Sequence, residues 1–308
     1  MKACYVDCSP FMRELMQAAA LMVPSGLRLH VGDPEPGALV DVIGDAEVVL
    51  NGHTFMDATL IDRLPGVGRI IFLGTGATSY IDVPAATARG ISVETIRGYG
   101  DRSVAEHALA LMMACSRQVA RMDRQMRANV WAPLGGIELA GRTIGIVGAG
   151  GIGRALARIA RALDMEVLIW NRSPLDEEWR DRQVPIERLL GTADVVSLHL
   201  ALTPETRHFL DVTRFGQMKQ GAILINTARA GLVDEQALVA ALGNGTVAQA
   251  GLDVFDLEPP PPTHAFRGLE NVTMTSHAAY KTPEASLRLM RQAFELISRA
   301  DVETGISH

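Results

Sequence analysis

Three side chains stand out by where they fall. Arg229 lies in NTARAGLVDE, Glu258 in GLDVFDLEPP and His277 in SHAAYKTPEA, and each segment ends or follows a β-prone apolar run. Singly, each has an ordinary explanation: a lone histidine is more often structural, and a lone arginine or glutamate is usually a solvated charge. At the ends of successive strands they make a set that suits one reaction. An arginine fork can clamp a carboxylate and help polarise a ketone beside it. A histidine, titrating near neutral pH, can give a proton to the ketone oxygen as hydride reaches the carbon. A glutamate beside it stabilises the imidazolium, raises its pKa and fixes the ring. The substrate this chemistry predicts is a small 2-oxo acid, or the 2-hydroxy acid in reverse, with neutral His277 as base.

A second constellation would hold the hydride donor. The run TIGIVG leads into Gly148-Ala149-Gly150-Gly151-Ile152-Gly153, and RALARIARAL follows. This is GxGxxG between a strand and a helix. Gly148 allows a tight turn, Gly150 lets the backbone approach a pyrophosphate, and Gly153 lets helix pack on strand. The helix N-terminus offers N–H groups and the positive end of its dipole to phosphate. The next strand, Glu166–Trp170, ends at Asn171-Arg172-Ser173, where sites of this type usually place an Asp or Glu for the adenosine ribose. Asn171 has no charge to repel a 2′-phosphate, Arg172 can pair with one and Ser173 can donate to it. The expected cofactor is NADP in preference to NAD; on the competing reading Arg172 is an ordinary surface arginine.

Positioning these groups is the work of the surrounding elements. Short β-rich runs alternate with longer helical ones along the 308 residues, the pattern of βαβ units around parallel sheets, and the length suits two domains. In the first hundred residues strands are expected at Lys2–Val6, Leu27–Val31, Glu47–Leu50, Arg69–Phe72 and Ile91–Val93, with helices such as Phe11–Leu21 and Thr59–Arg63. One long helix is expected from Arg102 to Asn129, its stripe of Leu109, Met112, Met113 and Val119 suited to core or dimer packing. A second series of strands follows at Thr143–Val147, Glu166–Trp170, Val195–Leu198, Ala222–Asn226, Ala248–Leu252 and Val272–Met274, with a last helix from Pro283 to about Arg299. The four prolines Pro259 to Pro262 form a stiff polyproline segment that cannot join a sheet.

Composition narrows the function further. A net charge of −6 argues against nucleic acid, which needs a basic face, and against a polybasic membrane surface. No run approaches a membrane span, and MKACYVDCSP does not begin a signal peptide. Cys4 and Cys8 lack a second Cys/His pair at ligand spacing, so ordinary thiols in a reducing cytoplasm are expected and no metal site.

Taken with GATSYID, SVAEHALALMMA, GRTIGIVGAGGIGRALA, LHLALTPETRHFL and INTARAGLVDEQAL, these segments make the chain resemble the D-isomer-specific 2-hydroxyacid dehydrogenase family, glyoxylate and hydroxypyruvate reductases in particular. The resemblance runs along essentially the whole chain. It implies an α/β fold of two Rossmann-like, doubly wound parallel-sheet domains with a cleft between them that closes over the substrate. Residues 1–102 with 281–308 would be a flavodoxin-like substrate domain, and 103–280 the dinucleotide-binding domain. It makes Arg229, Glu258 and His277 the catalytic residues. Gly151, Ile152, Leu200, Thr227, Ala228 and Asp253 would contact cofactor, and the amides at Gly76 and Ala77 would hold the substrate carboxylate. A homodimer built through helices of the cofactor domain, and a D product, are implied as well.

The chain also departs from the family pattern. Asn171 replaces the usual Asp, and Ala230 stands where Gly usually follows the arginine. Tyr99 and Arg102 sit in an unusual version of the preceding loop. Tyr280 and Lys281 follow His277 where small residues are common; they would narrow the pocket or favour an anionic substrate, or lie on the surface. The alternatives are an NAD-linked phosphoglycerate dehydrogenase, which often carries a C-terminal regulatory domain that a chain ending at His308 has no room for, and a non-catalytic dinucleotide-sensing scaffold. A formate dehydrogenase relative is disfavoured by Glu258, where that chemistry places Gln.

Overall fold

The aliphatic runs at the centre of each sheet become parallel strands buried on both faces, as sheets flanked by helices require. The computed structural model describes residues 2–35 and 37–304, which fall into two compact units: residues up to Gly100 together with those from Lys281 on, and Asp101–Tyr280. In the first unit the order is β1 (Ala3–Cys8), α1 (Pro10–Ala18), β2 (Leu27–Val31), α2 (Leu39–Ile43), β3 (Val48–Asn51), α3 (Ala58–Ile61), β4 (Arg69–Phe72), α4 (Val83–Ala88) and β5 (Ser92–Thr95). The strands pair in parallel in the order β2-β1-β3-β4-β5. Side chains alternate across the sheet. Cys4, Val6, Val49 and Ile70 point into one core, and Ala3, Tyr5, Leu50 and Ile71 into the other.

Helix starts follow local capping chemistry. Ser9, Asp57 and Asp82 accept from the amides of Met12, Leu60 and Ala85, and Pro10 sits in the first turn of α1. The expected helix to Leu21 stops at Ala18, because Ala20 turns to φ 47° and Leu21 N donates back to Met16 O at 2.9 Å, closing the end as a Schellman turn.

The second unit runs α5 (Asp101–Ser116), α6 (Val119–Arg127), β6 (Thr143–Val147), α7 (Gly151–Ala162), β7 (Glu166–Trp170), α8 (Ile186–Thr192), β8 (Val195–Leu198), α9 (Val212–Gln217), β9 (Ala222–Asn226), α10 (Glu235–Gly243), β10 (Val247–Leu252) and β11 (Val272–Met274). Its parallel sheet is ordered β11-β10-β9-β8-β6-β7. α5 and α7 cover one face through Ala108, Met112, Leu156 and Ala160 against Ile144, Ile146 and Ile225. Leu189, Leu190 and Leu238 fill the other face against Val196, Leu198 and Leu224. The chain then returns to the first unit as α11 (Pro283–Thr304), where Leu289, Met290, Ala293 and Phe294 pack on the core of Ala3, Tyr5 and Ile71. Read from its first strand, each sheet has the order 2-1-3-4-5, and the second adds a sixth strand. The crevices of such sheets open at the carboxyl ends of the strands where the order reverses, here at β1/β3 and β6/β8.

A second helix also departs from expectation. The single helix from Arg102 to Asn129 is two, broken at Arg117-Gln118, with Gln118 at φ 52°. In a continuous helix Ser116 O would accept from residue 120; instead it accepts from Ile137 N at 2.9 Å. Gly136 lies so close that a Cβ there would sit 2.4 Å from Ser116 O. The returning chain takes the carbonyl the helix needs. Of the expected stripe, Met112 is buried, while Met113 and Val119 are exposed. Among the described residues no helix is long and apolar enough to cross a membrane.

Candidate active site

The glycine loop is shaped by contacts that exclude a side chain. Gly148, at φ 103°, donates to Trp170 O at 2.9 Å, and a Cβ on it would lie 2.7 Å from His199 O. A Cβ on Gly153 would lie 2.1 Å from Gly148 O, so α7 can press on the loop only through glycine. Gly150 is different: nothing lies within 4 Å of a Cβ there, and no side chain caps the start of α7. The open face of Gly150 above uncapped amides is the cradle an anionic diphosphate fits. Gly151 is closed on its other side by the Asp101 carboxylate, whose pKa burial raises. Ile152 follows, half-buried. Thr227, at the carboxyl end of β9, keeps a buried Oγ1 without a partner, and His199, after β8, keeps a buried Nδ1 in the same state. Two buried polar atoms that follow strands of this sheet thus lack a protein partner, which is uncommon in a packed interior.

Asn171 is bound into this loop. Its Oδ1 accepts from Ala149 N at 3.1 Å and its Nδ2 donates to Ser173 O at 3.0 Å. Arg172 and Ser173 are exposed, and Arg172 is near enough to Glu205 to help lower that carboxyl's pKa, after the larger effect of Thr203. Arg154 is engaged elsewhere, with Ala149 O at 2.9 Å and with Asp176. Leu200 packs at Gly148, its Cδ2 2.9 Å from where a Cβ would be.

Two of the three expected catalytic residues meet directly. His277 Nδ1 and Glu258 Oε2 are 2.6 Å apart, and Glu258 Oε1 accepts from Phe255 N at 2.9 Å. The glutamate is oriented at one oxygen and orients the ring with the other. His277 itself has φ 49°, a left-handed conformation that a residue with a Cβ holds at a cost of about 1–3 kcal/mol. What holds it is Asp253. This fully buried carboxylate accepts from Thr275 Oγ1 at 2.6 Å, Ala278 N at 3.0 Å and Ala279 N at 2.9 Å, and Asp253 O accepts from His277 N. Burial raises the Asp253 pKa, but the hydrogen bonds from His107, Thr275, Ala278 and Ala279 outweigh it and leave the carboxyl below its ordinary range. Asp253, expected as a cofactor contact, thus has its side chain committed to the loop that carries His277. Tyr280 stands edge-on to the His277 ring, centroids 6.2 Å apart.

Arg229 is half-buried, and its Nη1 donates to Ala228 O at 2.7 Å within its own turn. Asn226 shapes that turn: Oδ1 accepts from Ala228 N at 3.0 Å, and Nδ2 donates to Arg229 O at 2.9 Å. Sequence reasoning overlooked Asn226, His107, Thr275 and His199. Asn226 and His199 sit at strand ends, a usable signal; His107 and Thr275 become meaningful only through their shared neighbour Asp253. In the first unit, Gly76 opens a 3₁₀ turn whose first residue, Ala77, is buried beside the end of β4.

Comparison with known proteins identifies the family. Residues 109–279 match the family model described as D-isomer specific 2-hydroxyacid dehydrogenase, NAD binding domain. The chain is 37% identical over 272 residues to a glyoxylate reductase of Korarchaeum cryptofilum, covering 85% of this chain and 82% of that one. It is 35% identical over 279 residues to a hydroxypyruvate reductase of Thermotoga maritima, covering 88% and 89%. Among solved structures, a glyoxylate reductase from Paecilomyes thermophila superposes with a TM-score of 0.84 at 30% identity, over 99% of this chain and 96% of the other.

Proposed function

The chain belongs to the D-isomer specific 2-hydroxyacid dehydrogenase family, and from that premise we propose that it is a reductase of small 2-oxo acids, glyoxylate and hydroxypyruvate first, in which Arg229, Glu258 and His277 act on the substrate. The observation that carries this reading is the 2.6 Å contact between His277 Nδ1 and Glu258 Oε2. With Nδ1 held by the carboxylate, Nε2 is the atom left to serve the substrate.

A reduced nicotinamide, when bound, supplies the hydride. His277 Nε2 then gives its proton to the oxygen that gains charge, and Glu258 stabilises the cationic ring before that transfer. In the oxidative direction the neutral ring takes the proton back. Arg229 spends one N–H on Ala228 O, and its remaining donors are assigned to the substrate carboxylate and carbonyl oxygen. In the first unit the amides of Gly76 and Ala77 are assigned to substrate binding. Gly148, Gly150, Gly151, Ile152 and Gly153 would hold the diphosphate, with Leu200, Thr227 and Ala228 as further cofactor contacts and Asp253 acting through the loop that carries His277.

NADP is favoured over NAD. Asn171 puts no carboxylate at the adenosine ribose, and Arg172 and Ser173 are exposed there. A homodimer is favoured by the surface that α6 and the following segment present, where Val119, Met126 and Trp131 are exposed. The three cysteines are buried thiols, which suits the reducing cytoplasm.

The test is absorbance of NADPH and NADH during reduction of glyoxylate, hydroxypyruvate and pyruvate. Turnover should be faster with NADPH, and His277→Ala should lose about 10²–10⁴-fold in kcat. Dinucleotide binding without turnover of any 2-oxo acid would point to a sensing scaffold.

A further inference from the structure

The glutamate beside His277 stands at the edge of a segment that cannot hold itself. Glu258 is followed by Pro259 to Pro262, four residues with no backbone N–H. A polyproline stretch makes no hydrogen bonds within itself, so donors from outside must hold its carbonyls. Packing does little for the glutamate either, since its side chain is 34% exposed. Yet Glu258 keeps Oε1 on Phe255 N at 2.9 Å and Oε2 at 2.6 Å from His277 Nδ1. A shift of about 1 Å in a reacting group is enough to lose much of its effect.

Two residues supply those donors. Arg267 Nη2 donates to Pro260 O at 2.9 Å and its Nε to Pro261 O at 3.0 Å, so one planar fork bridges two successive carbonyls. His264 N also donates to Pro261 O, at 3.0 Å. The fork stands on a firm base. Arg267 lies in the 3₁₀ turn Ala265–Gly268, its N–H on His264 O at 3.0 Å, and the neighbouring Phe266 is buried with Leu238, Leu252 and Val272. Rings fix the other end of the loop. The His264 ring contacts Phe266, with centroids 5.1 Å apart, and Phe255, at 5.8 Å, and Phe255 is the residue whose N–H orients Glu258. Glu258 therefore sits between two anchors, one at Phe255 and one at the prolines.

We propose that Arg267 is a positioning residue that holds the proline segment and, through it, keeps Glu258 in line with His277. Its kinetic consequence rests on the reductase reading above. Without the fork, Pro260 O is left to water and Pro261 O keeps only His264 N. The segment after Glu258 loosens, and the carboxylate is on Nδ1 for less of the time. The imidazolium is then less stabilised. Reduction, which needs the protonated ring, gives out at a lower pH, while the donors of Arg229 are untouched.

The experiment compares the parent, Arg267→Ala and Arg267→Lys proteins in hydroxypyruvate reduction. Arg267→Ala should lower kcat about three- to tenfold, the net contribution of one hydrogen bond, with KM little changed. It should also move the alkaline limb of kcat/KM to lower pH. Arg267→Lys, which lacks the planar fork but keeps a donor, should restore part of both. Arg267 is exposed, so its loss leaves no cavity, and thermal midpoints check that each variant folds. A second readout needs no turnover. The far-downfield proton resonance of His277 Nδ1–H, identified by its loss in His277→Gln, should broaden or vanish in Arg267→Ala. An alkaline limb that stays in place, or a resonance as sharp as the parent's, overturns the proposal and leaves the reductase reading standing. A parent protein that reduces no 2-oxo acid overturns the reductase reading, and the resonance alone then decides the role of Arg267.

Discussion

His199 shows how an unused residue still shapes behaviour. Its ring accepts or donates through Nε2 to Ser197 Oγ at 2.9 Å while Nδ1 is sealed and unpartnered. Burial pushes its pKa down to about 4. The unfolded chain takes up this proton near the ordinary histidine pKa, so the contribution to stability is complete above that value and is lost as pH falls toward 4. Between pH 7 and 5 the parent should lose up to about 2 kcal/mol more than His199→Asn, measured by urea unfolding at both pH values. An equal loss in both proteins would show the ring to be solvated. The same residue marks a limit of sequence reading. Arg229, Glu258 and His277 were recognisable because their types and strand-end positions match a reaction. The roles of His199 and Asp253 depend on which atoms are left without water, and nothing in the letters LHL or GLD states that.

Among the elements, the strands buried on both faces were the most legible. Val195–Leu198 and Ala222–Asn226 appear at the expected residues, because a continuous aliphatic run between polar turns has few other ways to be buried. The break between α5 and α6 was not legible, since it is made by Ile137, twenty residues on from Arg117, taking a helix carbonyl. The strand–loop–helix unit of β6 and α7 makes a sharper prediction, because its glycines serve different ends. Gly153→Ala drives a methyl into Gly148 O and should cost about 1–3 kcal/mol of stability, with dinucleotide binding lost. Gly150→Ala meets no protein atom within 4 Å and should keep its thermal midpoint while binding dinucleotide at least tenfold more weakly, as a methyl blocks the diphosphate. Thermal melts with NADPH titrations separate the two. A Gly150→Ala protein that binds as the parent does would remove the diphosphate from this face.

At the scale of the molecule, two sheets with one strand order place ligand-facing loops at the same end of each unit's strands. That class was visible in the rhythm of strand and helix. The surface around α6 was not, because exposure of Val119, Met126 and Trp131 depends on the helix break. Light scattering should give twice the 33.1 kDa chain mass, and Trp131→Asp with Met126→Glu should shift it to the single mass; a parent already at the single mass ends the dimer assignment. The buried thiols carry a practical consequence. Burial places Cys8 up to about 11 and Cys115 up to about 12, and Cys4 above its ordinary value. At neutral pH hardly any reactive thiolate is present. A cysteine engineered onto the surface of each unit would therefore be the fast-labelling site, so a pair of fluorophores could report the distance between the units without first removing the native cysteines.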